Sequence, residues 1–148
     1  MNASSSAVTI VMIEDDAGHA QLIKKNIRKA GVNNDMVECG DGESALRFLL
    51  GDDGLGTANS RRQLLILLDL NLPDMTGTEI LKVIKHNPHL KRSPVVILTT
   101  TDDDFEIKKC YDLGANVYIT KPLNYEGFAN AIKQLGLFLT VMQVPENA

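Results

Sequence analysis

The stretch Leu64-Leu65-Ile66-Leu67-Leu68, followed at once by Asp69, constrains this chain more than any other segment. An unbroken aliphatic run of strand length, bounded by breakers, belongs to a strand buried on both faces, as in a parallel sheet. A carboxylate at the carboxyl end of such a strand lies where open α/β sheets hold their ligands. Three further segments repeat the pattern. Val11-Met12-Ile13 runs into Glu14-Asp15-Asp16, Val95-Val96-Ile97-Leu98 into Thr99-Thr100-Thr101, and Val117-Tyr118-Ile119-Thr120 into Lys121-Pro122. Four strand ends would deliver acids, a hydroxyl and a lysine to one edge. That set suits an aspartate that accepts a phosphoryl group beside a divalent metal.

Helical periodicity fills the gaps. Ala20, Ile23, Ile27 and Ala30 recur at helical spacing before Gly31, a residue that ends helices. Met36, Val37 and Cys39 read as a short second strand, and Asp41-Gly42-Glu43-Ser44 as a helix start. Thr76-Gly77-Thr78-Glu79 has capping-box spacing ahead of Ile80, Leu81, Val83 and Ile84. Asp102-Asp103-Asp104 suits the positive end of a helix carrying Ile107, Cys110 and Tyr111. A long last helix is marked by Tyr125, Phe128, Ala129, Ile132, Leu135 and Leu139. Five β-α repeats imply a parallel sheet with helices on both faces and right-handed crossovers. Residues 51–60 form a loop longer than such units normally carry.

Composition narrows the function classes. A length of 148 residues suits one domain with a proper core, and 44% hydrophobic with 23% charged residues is ordinary for a globular chain. The net charge of −4, without a basic run, offers no nucleic-acid surface. No apolar stretch approaches the ~18 residues of a membrane span. The small polar start, residues 1–7, lacks the features of a signal peptide and is expected to be disordered or extended. Cys39 and Cys110 form no ligand pattern and read as packing residues in a reducing compartment. A cytoplasmic protein without membrane contact is expected.

A hard cation such as magnesium takes oxygen ligands and few from protein, with manganese an acceptable substitute. Asp15 and Asp69 would supply carboxylates, Glu14 would hold a metal-bound water, and the Asn71 carbonyl would be the third protein ligand. A phosphoryl group arriving at Asp69 needs its oxygens neutralised. The metal would take one, the Lys121 ammonium another, and the Thr99 hydroxyl with a backbone amide, that of Thr100, the third. Asp69 is the nucleophile and needs no general base. Each piece alone has a plainer meaning: acids after a strand cap helices, Lys-Pro marks a turn, and Asp102 to Asp104 cap rather than bind metal. His19, His86 and His89 lie off the strand ends and read as surface residues. The joint occurrence, in order and on one side of the sheet, favours the functional reading.

These motifs resemble the receiver domain of two-component response regulators over residues 8–139: Glu14-Asp15, Asp69 with Pro73 and Gly77, Thr99, and Lys121-Pro122. The resemblance implies a flavodoxin-like (βα)5 doubly wound sandwich, a five-stranded parallel sheet in order 2-1-3-4-5 with two helices on one face and three on the other. It implies that a histidine kinase donates phosphoryl to Asp69 with magnesium present. Thr99 and Tyr118 would then be the switch residues, and Lys121-Pro122 a cis peptide. Asn71 and Thr101 would tune dephosphorylation by water; neither is large or acidic, so no unusually long-lived phosphoaspartate is expected. Thr100 is bulkier than usual at its position, which would slow the entry of phosphoryl donors. The chain would be no enzyme beyond its own phosphotransfer and dephosphorylation. A narrower likeness is to stand-alone receivers paired with bacterial phytochrome kinases, carried by the long loop before the third strand, Leu98-Thr99-Thr100-Thr101 and Tyr118-Ile119-Thr120-Lys121-Pro122.

Leu137, Phe138, Leu139, Val141, Met142 and Val144 leave the last helix and residues 140–148 apolar around much of their circumference. A homodimer through the fourth helix, fifth strand and fifth helix, extended by the tail, would cover them. The alternative is a tail folded back on its own domain. Three other readings compete. A haloacid dehalogenase-like phosphotransferase would have an aspartate where Asn71 stands. A receiver-like module that binds without phosphorylation would not need every chemical position filled. A flavodoxin-like nucleotide binder would need a glycine- or hydroxyl-rich loop after the first strand.

Overall fold

A computed structural model describes residues 7–122, 124–140 and 143–148, without the Tyr125 side chain. Most of the expected extended start, and Val141 and Met142, lie outside the described residues. Five units follow in order: β1 (Val8–Ile13), α1 (Ala17–Lys29), β2 (Met36–Cys39), α2 (Gly42–Leu50), β3 (Gln63–Leu68), α3 (Gly77–His86), β4 (Val95–Thr99), α4 (Asp104–Asp112), β5 (Val117–Thr120) and α5 (Tyr125–Leu139). The strands form one sheet in the order β2-β1-β3-β4-β5, every neighbouring pair parallel.

Side-chain alternation along β3 explains why its run is continuous. Leu64, Ile66 and Leu68 point to one face, where they meet Ala45 and Leu49 of α2, Ile80, Leu81 and Ile84 of α3, and Cys110 of α4. Leu65 and Leu67 point to the other, toward Leu22, Ile23 and Ile27 of α1 and Phe128, Ile132 and Leu135 of α5. Both faces are covered, so no polar residue is tolerated until the strand ends at Asp69.

Local chemistry sets the helix limits. The Asp16 carboxylate caps α1 by accepting from His19 N at 2.9 Å, and Asp41 caps α2 through Ser44 N at 2.7 Å. Gly31 (φ 90°) takes the left-handed conformation past the end of α1. Asp103, from the acidic triplet, caps α4 through Phe105 N. The capping box expected at Thr76 does not form. Its hydroxyl pairs with that of Thr78 at 2.9 Å, so it reaches no helix amide. The long loop contains a 3-10 turn at Thr57–Asn59, whose Asn59 side chain donates to the Phe48 and Leu49 carbonyls closing α2.

The tail folds back on its own domain. Asn147 is buried, exchanges backbone hydrogen bonds with Arg61 and Arg62, and accepts from the Ser93 hydroxyl at 3.0 Å. Gln63 donates to the Val144 carbonyl at 2.7 Å. Residues 143–148 thus take the second of the two placements expected for the tail, against their own domain. Hydrogen-bonding side chains place it, together with Val144, which packs against the core on the α1 and α5 side. Leu137 and Phe138 of α5 stay exposed.

Candidate functional site

The sheet carries the site residues on extensions of its own ladder. Glu14 N donates to the Cys39 carbonyl and Asp69 N to the Ile13 carbonyl, each at 3.0 Å, so both acids continue their strands by one residue. Lys121 follows β5 likewise, its N donating to the Thr99 carbonyl at 2.6 Å. The loop after Asp69 then turns tightly: Asn71 N donates to Asp69 Oδ1 at 3.0 Å and Gly77 N to the Leu70 carbonyl at 2.8 Å. Asp74 reaches across to α2, accepting from Gly42 N at 2.8 Å and Glu43 N at 2.9 Å. The phosphoacceptor candidate and the start of α2 are thereby tied through one loop.

Glu14, Asp15 and Asp69 each offer a carboxylate oxygen, and these oxygens lie within 4.8 Å of one another. Glu14 and Asp69 are buried and Asp15 is exposed, which leaves the cluster open on one side. Like charges at this spacing repel. The Lys121 ammonium relieves part of that repulsion, bonding Glu14 Oε1 and, at 3.0 Å, Asp69 Oδ2. An all-oxygen donor set with two buried acids and one facing solvent fits a hard divalent cation. Burial pushes the Glu14 carboxyl up to about 7; the Asp69 charge adds to this and the Lys121 contact opposes it.

That shift has a sign that can be tested. The folded-state value, about 7, lies above the ordinary 4.5, so between the two the folded protein binds more protons than the unfolded chain. The stabilisation is complete below about pH 4.5 and lost as pH rises to about 7. Metal-free protein is expected to show a urea midpoint that falls across this window. Glu14→Gln should flatten the profile; an unchanged slope in that variant would assign the titration elsewhere.

Thr99 is fully buried, and its hydroxyl accepts from Asn71 Nδ2 at 3.2 Å. Asn71 Nδ2 also lies 3.3 Å from Thr101 Oγ1. Thr100 is exposed beside them. The half-buried Tyr118 anchors this corner from β5, its hydroxyl donating to the Thr101 carbonyl at 2.5 Å. Burial raises that hydroxyl to about 12. The Tyr111 hydroxyl accepts from Tyr118 N at 3.0 Å.

Two expectations need correction. No cis peptide bond occurs among the described residues, so Lys121-Pro122 is trans, the isomer that prolyl bonds favour by about 0.5–1 kcal/mol. His19 is not a remote surface residue: its Nδ1 lies 3.1 Å from Lys121 Nζ. The first turn of α1, started by Asp16, swings it back over the strand ends. Asp16 itself takes the plainer role of helix cap, while Glu14 and Asp15 join the cluster.

Comparison with known proteins agrees with this geometry. The family model for the response regulator receiver domain matches residues 10–133. The chain is similar to response regulator Rcp1 of Synechocystis sp., 34% identical over 91% of this chain and 90% of Rcp1. The Mn(2+)-bound form of Rcp1 superposes with a TM-score of 0.82 at 33% identity, covering 93% of this chain and 98% of that one. A receiver domain from Rhodospirillum rubrum superposes with a TM-score of 0.93 at 70% identity, covering 94% of this chain and 98% of the other. The phosphorylated cyanobacterial phytochrome response regulator RcpA gives a TM-score of 0.82 at 36% identity, covering 94% and 99%. The sequence motifs, the sheet order and these likenesses converge: the chain belongs to the response regulator receiver family.

Proposed function

We propose that the chain takes a phosphoryl group from a histidine kinase onto Asp69 and signals by the resulting change in shape. The observation that carries this is the buried Asp69 carboxylate, with Lys121 Nζ at 3.0 Å and the Glu14 and Asp15 oxygens within 4.8 Å. An Asp69 oxygen attacks phosphorus, a P–O bond forms as the P–N bond to the kinase histidine breaks, and the imidazole leaves. Lys121 and the Thr99 hydroxyl, with the Thr100 amide, hold the phosphoryl oxygens as charge moves onto them. Glu14 (through water), Asp15, Asp69 and the Asn71 carbonyl are the residues to hold Mg2+, or Mn2+ in its place. The bound cation would neutralise a phosphoryl oxygen and part of the acidic cluster. The likeness to RcpA favours a phytochrome-type donor kinase, and the likeness to the Mn(2+)-bound form of Rcp1 favours a divalent cation.

Once Asp69 is phosphorylated, Thr99 moves toward the phosphoryl group and gives up its bond to Asn71. Tyr118 then turns into the space vacated. Asn71 and Thr101 flank the path of the water that later releases phosphate. The face formed by α4, β5 and α5 carries the signal, and a cavity of about 340 Å³ there is lined by Val117, Ile119, Ala131, Gln134, Leu135 and Phe138. With Phe138 of α5 exposed beside this cavity, this face suits a second copy of the chain. No described helix is long and apolar enough to cross a membrane, and a cytoplasmic homodimer is the working assembly.

Incubation with acetyl phosphate and magnesium, read by intact mass, tests the chemistry. A gain of one phosphoryl group is expected, absent in Asp69→Asn and absent without the metal. No gain under any condition would sink the phosphotransfer reading in favour of a receiver that binds without phosphorylation. Sedimentation of both forms tests the assembly; a monomer in each would remove the dimer.

A further inference from the structure

Lys121 makes one contact that its expected role does not require. Its side chain is 1% exposed, so each of its three N–H groups needs a protein acceptor. Glu14 Oε1 and Asp69 Oδ2 take two. The third polar atom in reach is His19 Nδ1 at 3.1 Å. An ammonium has no lone pair to give. The contact is therefore a hydrogen bond only if Nδ1 is the bare nitrogen and the ring proton sits on Nε2. Asp16 Oδ2, 4.0 Å from Nδ1, is beyond hydrogen-bond distance and does not compete for a proton there. Phe128 of α5 fixes the ring from below, edge to face at 4.9 Å between centroids, and also faces Lys121 Nζ at 5.7 Å.

The geometry points to His19 as the positioning residue for Lys121 during phosphoryl transfer, a role that rests on Asp69 being the phosphoacceptor. When Asp69 becomes an acyl phosphate, Lys121 must redirect the hydrogen it gives to Oδ2 toward a phosphoryl oxygen. Glu14 and His19 hold the other two hydrogens, so the ammonium pivots about two fixed points. Without His19 one hydrogen is left unpaired beside a partly open rim. The ammonium then turns to water and loses its aim.

The test compares His19→Leu, which keeps apolar packing on Phe128, with His19→Asn, whose Oδ1 stands where Nδ1 stood. Phosphorylation by saturating acetyl phosphate with magnesium should slow roughly tenfold in His19→Leu. The half-saturating donor concentration should be unchanged, and His19→Asn should recover to within about threefold of wild type. A wild-type rate in His19→Leu overturns the inference, as does a His19→Asn variant no faster than His19→Leu. The 15N shifts of the His19 ring near neutral pH, measured without any donor, should show Nδ1 bare and Nε2 protonated. The opposite tautomer overturns the inference whether or not phosphorylation occurs. A wild-type protein that takes no phosphoryl group while showing the expected tautomer would instead refute the phosphotransfer reading.

Discussion

Gly77→Ala is expected to lower stability by about 3 kcal/mol, or roughly 6–12 °C in Tm for a domain of this size. A Cβ at Gly77 would lie 2.4 Å from the Asp69 carbonyl oxygen and 2.7 Å from Leu70 Cα. Both are backbone atoms at the end of β3, so no side chain can rotate out of the way. The loop would have to lift off the strand, breaking the bond from Gly77 N to the Leu70 carbonyl and moving Asp69 with it. Phosphorylation should slow as well, even where the variant is fully folded. Gly40→Ala is the control, because a Cβ there meets nothing within 4 Å. Gly42→Ala is intermediate, since the atoms it would strike belong to the flexible Met75 side chain. Equal urea midpoints for Gly77→Ala and Gly40→Ala would show that the loop has slack.

Lys121→Met should produce the second large effect. The substitution keeps the stem and removes the charge, leaving Glu14 and Asp69 facing each other with side chains 2% and 7% exposed. Removing one partner of a buried ion pair costs about 3–5 kcal/mol. Metal-free Lys121→Met should lose that much at alkaline pH and less toward acid, where Glu14 takes up a proton. Saturating magnesium should restore more stability to the variant than to the wild type, because the added cation meets a larger uncompensated charge. Phosphorylation should nonetheless stay about a hundredfold slow, as one donor to the phosphoryl oxygens is gone. Calorimetry with and without magnesium measures the first effect, and intact mass over time the second. An equal magnesium increment in both proteins would mean that Lys121 and the metal do not share the cluster.

Most of the site could be read before the fold was known, for a physical reason. In a doubly wound sheet the covered strands admit only apolar side chains, so the first polar residue after each run marks the functional edge. Glu14, Asp69 and Thr99 all announce themselves this way, whereas Lys121 stands one residue further on, after Thr120 of the half-covered β5. His19 did not, because it lies on a helix and reaches the edge only when α1 turns back over β1. The helical spacing from Asp16 would place it in the first turn, but nothing in the sequence says that Phe128 will pin its ring. The prolyl isomer is not legible because either isomer satisfies the sequence and only the surrounding packing decides between them. The Thr76 box failed because a nearer hydroxyl, Thr78, competed for the same side chain. Asn147 is not legible because its partners, Asn59, Arg61, Arg62 and Ser93, lie far from it in sequence.

The lysine bridge also bears on when the cation is needed. Glu14, Asp15 and Asp69, when ionised, carry three negative charges against the single positive charge of Lys121. The remainder is two, the charge of one magnesium ion. Because an internal counterion already spans the two buried acids, the newly made polypeptide can reach its native structure before it encounters any metal. On the proposed function, loading would then be a later and reversible event, separate from folding, so that loss of the ion would leave the fold intact.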